Sequence, residues 1–259
     1  MVKFQLPLYN LFNGISVSNP TLKKILIRWL VKPSKIQPYN PLFIDISNVP
    51  FRKSRKVEQI FNIIFIGVLD NSHSYKGLDL LLKLMRYINK TNNWRQEIRL
   101  HIIGGGERLQ YYRSYAENKN LNNVIFRSYL PSIQDEFKKM DALILPSKKR
   151  GEGFGKVILE AVLNGLPVFV SKYAGGSYLV KEYNIGMIFN PYRIKKSRQA
   201  LFDFIQECRL NNYDTNIDSF QQILLAERDK CLDLIKIMYK LAGNRESIAQ
   251  SSDNNRNVS

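Results

Sequence analysis

From Ile60 to about Pro191 the chain alternates short apolar runs with amphipathic ones, and this alternation constrains the fold more than any other feature. "IFNIIFIG" is a continuous apolar strand of the kind buried on both faces. "GLDLLLKLMRYINKT" follows as a helix, "EIRLHIIGGG" as a strand with a glycine turn, and "ERLQYYRSYAENKN" as a second helix. "NVIFRSYL" is a strand, "IQDEFKKM" a short helix and "DALILPS" a strand. "GKVILEAVLN" is a helix with Gly165 as its C-terminal cap and Pro167 just beyond. "PVFVS" and "GMIFNP" complete the strands. Strands alternating with helices predict an α/β fold, a Rossmann-like parallel sheet with helices on both faces. Such sheets bind ligands at the carboxyl ends of their strands.

The first residues do not share this rhythm. "GISVSN" reads as a short strand, "PTLKKILIRWLV" as a helix ended by Pro33, and "KIQPYNPLFI" as a strand broken by prolines. These are too few elements for a complete sheet. The expected organisation is a remnant of another domain plus linker over 1–56, a ligand-binding domain over 57–242, and a disordered polar tail over 243–259. A long helix is expected from about Ser219 to Leu241. In the first segment, Leu22, Ile25, Leu26, Trp29 and Leu30 recur at helical spacing beside Lys23, Lys24, Arg28, Lys32 and Lys35. Left uncovered, such a stripe seeks a partner or an anionic membrane surface.

Charge narrows the partners. The 259 residues carry a net charge of +17, which predicts attraction to nucleic acid, acidic lipid or a phosphorylated substrate. The charges lie in short clusters such as Lys148-Lys149-Arg150 and do not alternate with aromatics as in a nucleic-acid motif, so nucleic acid is not the expected partner. No run of eighteen apolar residues predicts a membrane span, and "MVKFQLPLYNLF" does not read as a signal peptide. The two cysteines, Cys208 and Cys231, and the two histidines, His73 and His101, lack metal-ligand spacing, so no metal is expected. The expected location is the cytoplasm, including its membrane face.

Three strand-to-helix loops carry glycine. In "GVLDNSHSYKGLDLL", Lys76 and Gly77 stand where a helix begins, where amides and a positive dipole end favour phosphate; an ordinary solvated lysine is the alternative. "GGGERL" has Leu109 where the dinucleotide fingerprint needs its third glycine, so a nicotinamide cofactor is not indicated. The third loop is "RGEGFGKVILEAVLNGLPVFVS". Here Glu152 precedes the Gly153-Phe154-Gly155 turn, and Glu160 sits among Ile158, Leu159, Ala161, Val162 and Leu163. Eight helical steps between the two acids would span about 12 Å, the reach from sugar to ribose in a nucleotide-sugar. Carboxylates accept two hydrogen bonds and suit vicinal hydroxyls. An acid in so apolar a run needs a partner.

At these residues the chain resembles family 4 glycosyltransferases, retaining enzymes of the GT-B fold. "EGFGKVILEAVLNGLPV" is similar to their motif of two glutamates separated by seven residues. "FIGVLDNSHSYKGLDLLL", "LHIIGGGERL", "MDALILPS" and "AGGSYLV" follow in the family's order, so the resemblance covers about Ile60 to Pro191. It implies the C-terminal, donor-binding half of a GT-B enzyme with the N-terminal domain largely missing. It also implies Glu152 as the catalytic residue, and Lys76, Gly77, Gly153, Phe154, Gly155, Lys156 and Glu160 as donor-binding residues. The implied reaction transfers a sugar from a nucleotide-sugar, such as a UDP-sugar, to a glycan or lipid-linked acceptor in polysaccharide biosynthesis, without a metal. Two departures stand out: Val68 replaces the arginine that many relatives carry beside the diphosphate, and "GGSYLV" lacks an acid often found there. A separate N-terminal domain is an expected partner. The rival readings are a non-catalytic nucleotide-sugar binding module and a basic protein of membrane or nucleic-acid surfaces.

Overall fold

The computed structural model describes residues 15–17, 20–28, 31–38, 59–91, 96–130, 132–149 and 152–226. The tail expected over 243–259, Trp29, Leu30, Cys231 and the far end of the helix expected to reach Leu241 lie outside the described residues, as do the side chains of Leu22 and Ile25.

The front segment forms a small unit with its own two-stranded sheet. Strand β1 (Ile15–Val17) pairs in parallel with β2 (Ile36–Pro38), connected through helix α1 (Pro20–Arg28). Leu26 of α1 does not stay bare: it packs against buried Val31 and Ile36. Lys23, Lys24, Arg28 and Lys32 are exposed.

The main sheet is built from β3 (Phe61–Ile66), β4 (Ile98–Ile103), β5 (Val124–Arg127), β6 (Ala142–Leu145), β7 (Val168–Ser171) and β8 (Gly186–Phe189). All neighbours are parallel, in the order β5-β4-β3-β6-β7-β8. Burial explains the unbroken apolar runs. Ile63 and Ile64 point to opposite faces of β3, and both are buried. The chain starts in the middle at β3, steps out to β5, then crosses back to lay β6 on the other side of β3. Between β3 and β6 the strand order reverses, which opens a crevice at their carboxyl ends.

Helices α2 (Leu78–Thr91), α3 (Leu109–Asn118), α4 (Gln134–Phe137), α5 (Val157–Leu163), α6 (Ser177–Tyr183) and α7 (Ile194–Arg209) connect and follow the strands. Helices α2 and α7 pack on each other, and Phe204 of α7 meets Phe61 edge-on at 6.4 Å. Helix α5 packs on β6 and β7, and α6 on β7 and β8. Right-handed crossovers on both sides of the switch place these two on the opposite face.

Two sequence expectations shift. Helix α7 is an element of its own, with Leu201, Phe204, Ile205 and Cys208 buried at helical spacing. The helix expected from Ser219 begins earlier, at residue 214, and runs through the last described residue, 226. Its Gln221 is buried and donates from Nε2 to the carbonyl of Val162 at 2.7 Å, and it also reaches that of Leu163. These carbonyls lie in the last turn of α5, where the i+4 donors of a continuing helix are missing. Gly165 closes the same end as expected. It has φ +74°, and the amides of Gly165 and Leu166 bond to Val162 and Ala161 in a Schellman arrangement.

Candidate functional site

The loops after β3 and β6 meet over the switch point. The amide of Lys148 donates to the carbonyl of Tyr75 at 2.7 Å. Gly77 has φ +79°, and a Cβ there would stand 2.1 Å from the Pro146 oxygen. Only glycine lets the two backbones approach so closely in that conformation. Lys76 lies between these two contacts. Its stem runs across Gly67, where a Cβ would meet Lys76 Cδ at 2.5 Å. Its Nζ donates to Glu152 Oε2 at 3.3 Å. Both side chains are largely covered, at 18% and 9% exposed. Residues 76 positions apart are thus brought together, both of them singled out from the sequence.

Asp70 braces the Lys76 loop. Its carboxylate accepts from the His73 amide at 2.7 Å and from Ser72 Oγ at 2.9 Å, and it contacts His73 Nδ1 at 2.8 Å. The glycine turn after β4 serves the same loop. A Cβ on Gly104 would meet the Gly67 oxygen at 1.9 Å, and one on Gly106 the Leu69 oxygen at 2.4 Å. The Leu69 amide donates to Gly105, and that of Arg108 to Leu69. Leu109, in the position of the absent third glycine, is the first residue of α3 and packs on the core.

The turn Gly153-Phe154-Gly155 is held from both sides. Phe154 is buried, and its carbonyl accepts from the Gly176 amide at 2.7 Å. Gly155 takes φ +85°. Gly153 faces open space. Lys156 is exposed. Helix α5 covers only Val157–Leu163, so about half of the eight steps from Glu152 to Glu160 are helical and a purely helical 12 Å rise does not apply. Its first turn is tight: the amides of Ile158 and Leu159 already donate to Gly155 and Lys156. Only positions before Ile158 remain to present N–H groups to an anion.

Glu160 is half-buried among fully buried neighbours. Burial pushes its carboxyl above the usual range, and the cations of Lys156 and Lys76 oppose that rise. Lys76 therefore sits in the field of both glutamates. Burial and then the Glu152 charge likewise raise the Tyr75 phenol. Val68, where an arginine was wanted, is 46% exposed at the rim beside this cluster.

Sequence reasoning missed Gly67, Tyr75 and Gly176 as site builders. Their roles are close approaches between loops, which no one-dimensional spacing encodes. It also missed Tyr173 and Tyr192, whose rings meet at 5.6 Å after β7 and β8, with the Lys149 amide donating to Tyr192 Oη at 3.2 Å. Among the described residues, no three His, Cys, Asp or Glu side chains gather closely enough to hold a metal ion, and no helix is long and apolar enough to cross a membrane.

Residues 49–216 match the family model described as "Glycosyl transferases group 1". Over 169 residues the chain is 28% identical to the poly(glycerol-phosphate) alpha-glucosyltransferase of Bacillus subtilis (strain 168), covering 64% of this chain and 23% of that protein. Over 207 residues it is 29% identical to Protein CapJ of Staphylococcus aureus, covering 73% of this chain and 49% of that one. The chain thus spans half or less of the length of these relatives. TarM superposes with a TM-score of 0.66 at 19% identity, over 90% of this chain and 44% of its own. The pneumococcal O-GlcNAc transferase GtfA, solved in complex with UDP and GlcNAc, superposes with a TM-score of 0.65 at 16% identity, over 90% of this chain and 46% of its own. At such identities the superpositions establish the fold.

Proposed function

The chain belongs to the glycosyl transferases group 1 family and carries a GT-B Rossmann-like sheet, and from this premise we propose that residues 57–242 bind a nucleotide-sugar for transfer to a glycan or lipid-linked acceptor in polysaccharide biosynthesis. The observation that carries the reading is the Lys76–Glu152 pair at 3.3 Å over the switch point, with half-buried Glu160 in the same field. Each group has a role. Lys76 is a point charge for the diphosphate. Glu152 accepts from sugar hydroxyls beside the reacting carbon, and Glu160 from ribose hydroxyls. Amides of the Gly153-Phe154-Gly155 turn and the Lys156 ammonium face the charge that grows on the leaving diphosphate. Fixed donors of this kind stabilise that charge without reorganising, so no metal is required.

The finer assignment is a retaining transfer of the family 4 type, with a UDP-sugar as donor. In support stands the spacing of Glu152 and Glu160 with seven residues between them. UDP is also the nucleotide in the GtfA complex. Residues 15–38, with their own paired strands, belong in this reading to the acceptor-side unit. Calorimetric titration with UDP and with uridine tests the donor site. Binding of UDP that weakens on Lys76→Ala, with uridine binding little changed, supports it. A folded chain that binds neither ligand ends it. Mixing the chain with candidate UDP-sugars and reading UDP release tests turnover; donor binding without release assigns a binding module instead.

A further inference from the structure

Beside the donor loops lies a shelf of tyrosines and cations that this chemistry does not use. Three loops at the carboxyl rim build it, those after β6, β7 and β8. Tyr192 is 50% exposed, and Tyr173 stands against it at 5.6 Å with the rings inclined by 69°. Lys172 Nζ lies 5.1 Å over the Tyr173 ring. The Lys149 amide donates to Tyr192 Oη, which ties the shelf to the loop that carries Glu152 three residues later. Lys149, Lys172, Arg193, Lys195 and Lys196 are all exposed.

The position of these charges is informative. Helix α7 starts at Ile194 with no acid in its first turn, and Arg193, Lys195 and Lys196 surround that start. Cations at a helix N-terminus oppose the dipole, and they repel one another. Stability of the fold gives no reason for this placement; an anionic ligand does. The turn that presents them is already rigid. The Asn190 side chain accepts from the Tyr192 amide at 3.2 Å, its carbonyl accepts from Ser197 Oγ at 2.7 Å, and the Lys172 amide donates to Phe189 at 2.9 Å. Preorganised groups lose little freedom on binding.

We propose that this shelf is the docking surface for an anionic saccharide chain, the acceptor being led past Tyr192 and the α7 cations toward Glu152. The assignment rests on the donor reading of Glu152 for its direction, but not for its existence. Sugar rings present apolar C–H faces that cover a tyrosine, while phosphate or carboxylate groups along the chain meet the lysines. A single-stranded nucleic acid fits less well. Successive bases need open, roughly parallel ring faces, whereas Lys172 covers Tyr173 and the two rings stand edge to face. A bilayer fits less well too, since the shelf exposes no long aliphatic side chain to insert.

The test uses the full chain and a phosphorylated dextran oligosaccharide, with unmodified dextran of equal length as control. Calorimetry should show binding of the phosphorylated chain that falls as salt rises, and little binding of the neutral one. Lys195→Gln with Lys196→Gln should weaken it at least fivefold, and so should Tyr192→Ala, while UDP affinity in the lysine variant stays as in the wild type. Unchanged binding of the phosphorylated chain in both variants overturns the proposal. So does oligothymidylate or a vesicle of anionic lipid binding more tightly than the phosphorylated chain. Failure of UDP to bind, with saccharide binding still lost in the variants, removes the donor reading and leaves the shelf in place.

Discussion

Gly77→Ala is a small substitution that the site should tolerate poorly. The residue takes φ +79°, so any side chain meets the left-handed cost of about 1–2 kcal/mol. Beyond that, the new Cβ would stand 2.1 Å from the Pro146 carbonyl oxygen, far inside the ~3.3–3.6 Å at which carbon and carbonyl oxygen normally meet. The obstacle is backbone at the end of the central strand β6, so it cannot swing aside as a side chain would. Overpacking of this kind costs about 1–3 kcal/mol. Together, Gly77→Ala should destabilise the fold by about 2–5 kcal/mol. Gly153→Ala is the matched control, because a Cβ there meets nothing within 4 Å. It should stay within about 0.5 kcal/mol. Urea unfolding followed by tryptophan fluorescence and by far-ultraviolet dichroism gives both values. UDP titration of folded Gly77→Ala should also show weaker binding, since separating the loops parts Lys76 from Glu152. If Gly77→Ala and Gly153→Ala unfold at the same urea concentration, the reasoning from loop approach is refuted.

Four further variants test the same geometry. Lys76→Ala should weaken UDP binding by about 1.5–3 kcal/mol, as for a hydrogen bond to a charged group, and uridine binding far less; equal losses would make Lys76 a support of the fold. Glu160→Gln should weaken uridine and UDP alike, by about 1–3 kcal/mol. The same variant should be more stable than the wild type at neutral pH, because burial holds the native carboxyl above its ordinary value and ionising it opposes folding; the gap should close once the pH falls below the ordinary glutamate range, and a stability difference independent of pH would contradict this. His101 is buried, and desolvation followed by the Arg127 and Arg99 charges lowers it to about 4, so neutral His101 contributes stability that is full above its unfolded pKa and is lost as pH falls from about 6.5 to about 4, on the order of 3 kcal/mol; His101→Gln should flatten the pH dependence of the urea midpoint over that window. Gln221→Ala should cost about 1–2 kcal/mol in urea unfolding, through loss of the buried bonds from its side-chain amide to the last-turn carbonyls of α5.

The sheet was legible because buried parallel strands are nearly all apolar. "IFNIIFIG" and "DALILPS" permit few other readings, and Gly165 announced the end of α5 by its own conformational freedom. Lys76, Glu152 and Glu160 were legible as residue types that are costly or unusual where they stand. The separateness of α7 was available in the spacing of Leu201, Phe204, Ile205 and Cys208, but surrounding lysines and arginines masked its weaker stripe. The rest is tertiary. That Gly67 exists to let Lys76 pass, or that Gly176 feeds an amide to Phe154, depends on the crossing of loops far apart in the chain. The Leu26 stripe shows the converse. Helical spacing identified its apolar residues, but the cover supplied to Leu26 by Val31 and Ile36 comes from a chain reversal that spacing does not encode.

The distance along the chain between Lys76 and Glu152 also sets when the site can come into being. Strand β3 and its loop are made first, yet Lys76 has no partner until the chain has grown by another 76 residues. At about 5–20 residues per second, that is a wait of roughly 4–15 s on the ribosome, longer once β6 must dock beside β3. During it the first three strands, β3 to β5, leave one side of β3 unpaired. On the proposed donor reading, a nucleotide-sugar would bind only chains that have closed the crevice, and mass action would favour those over partly assembled ones.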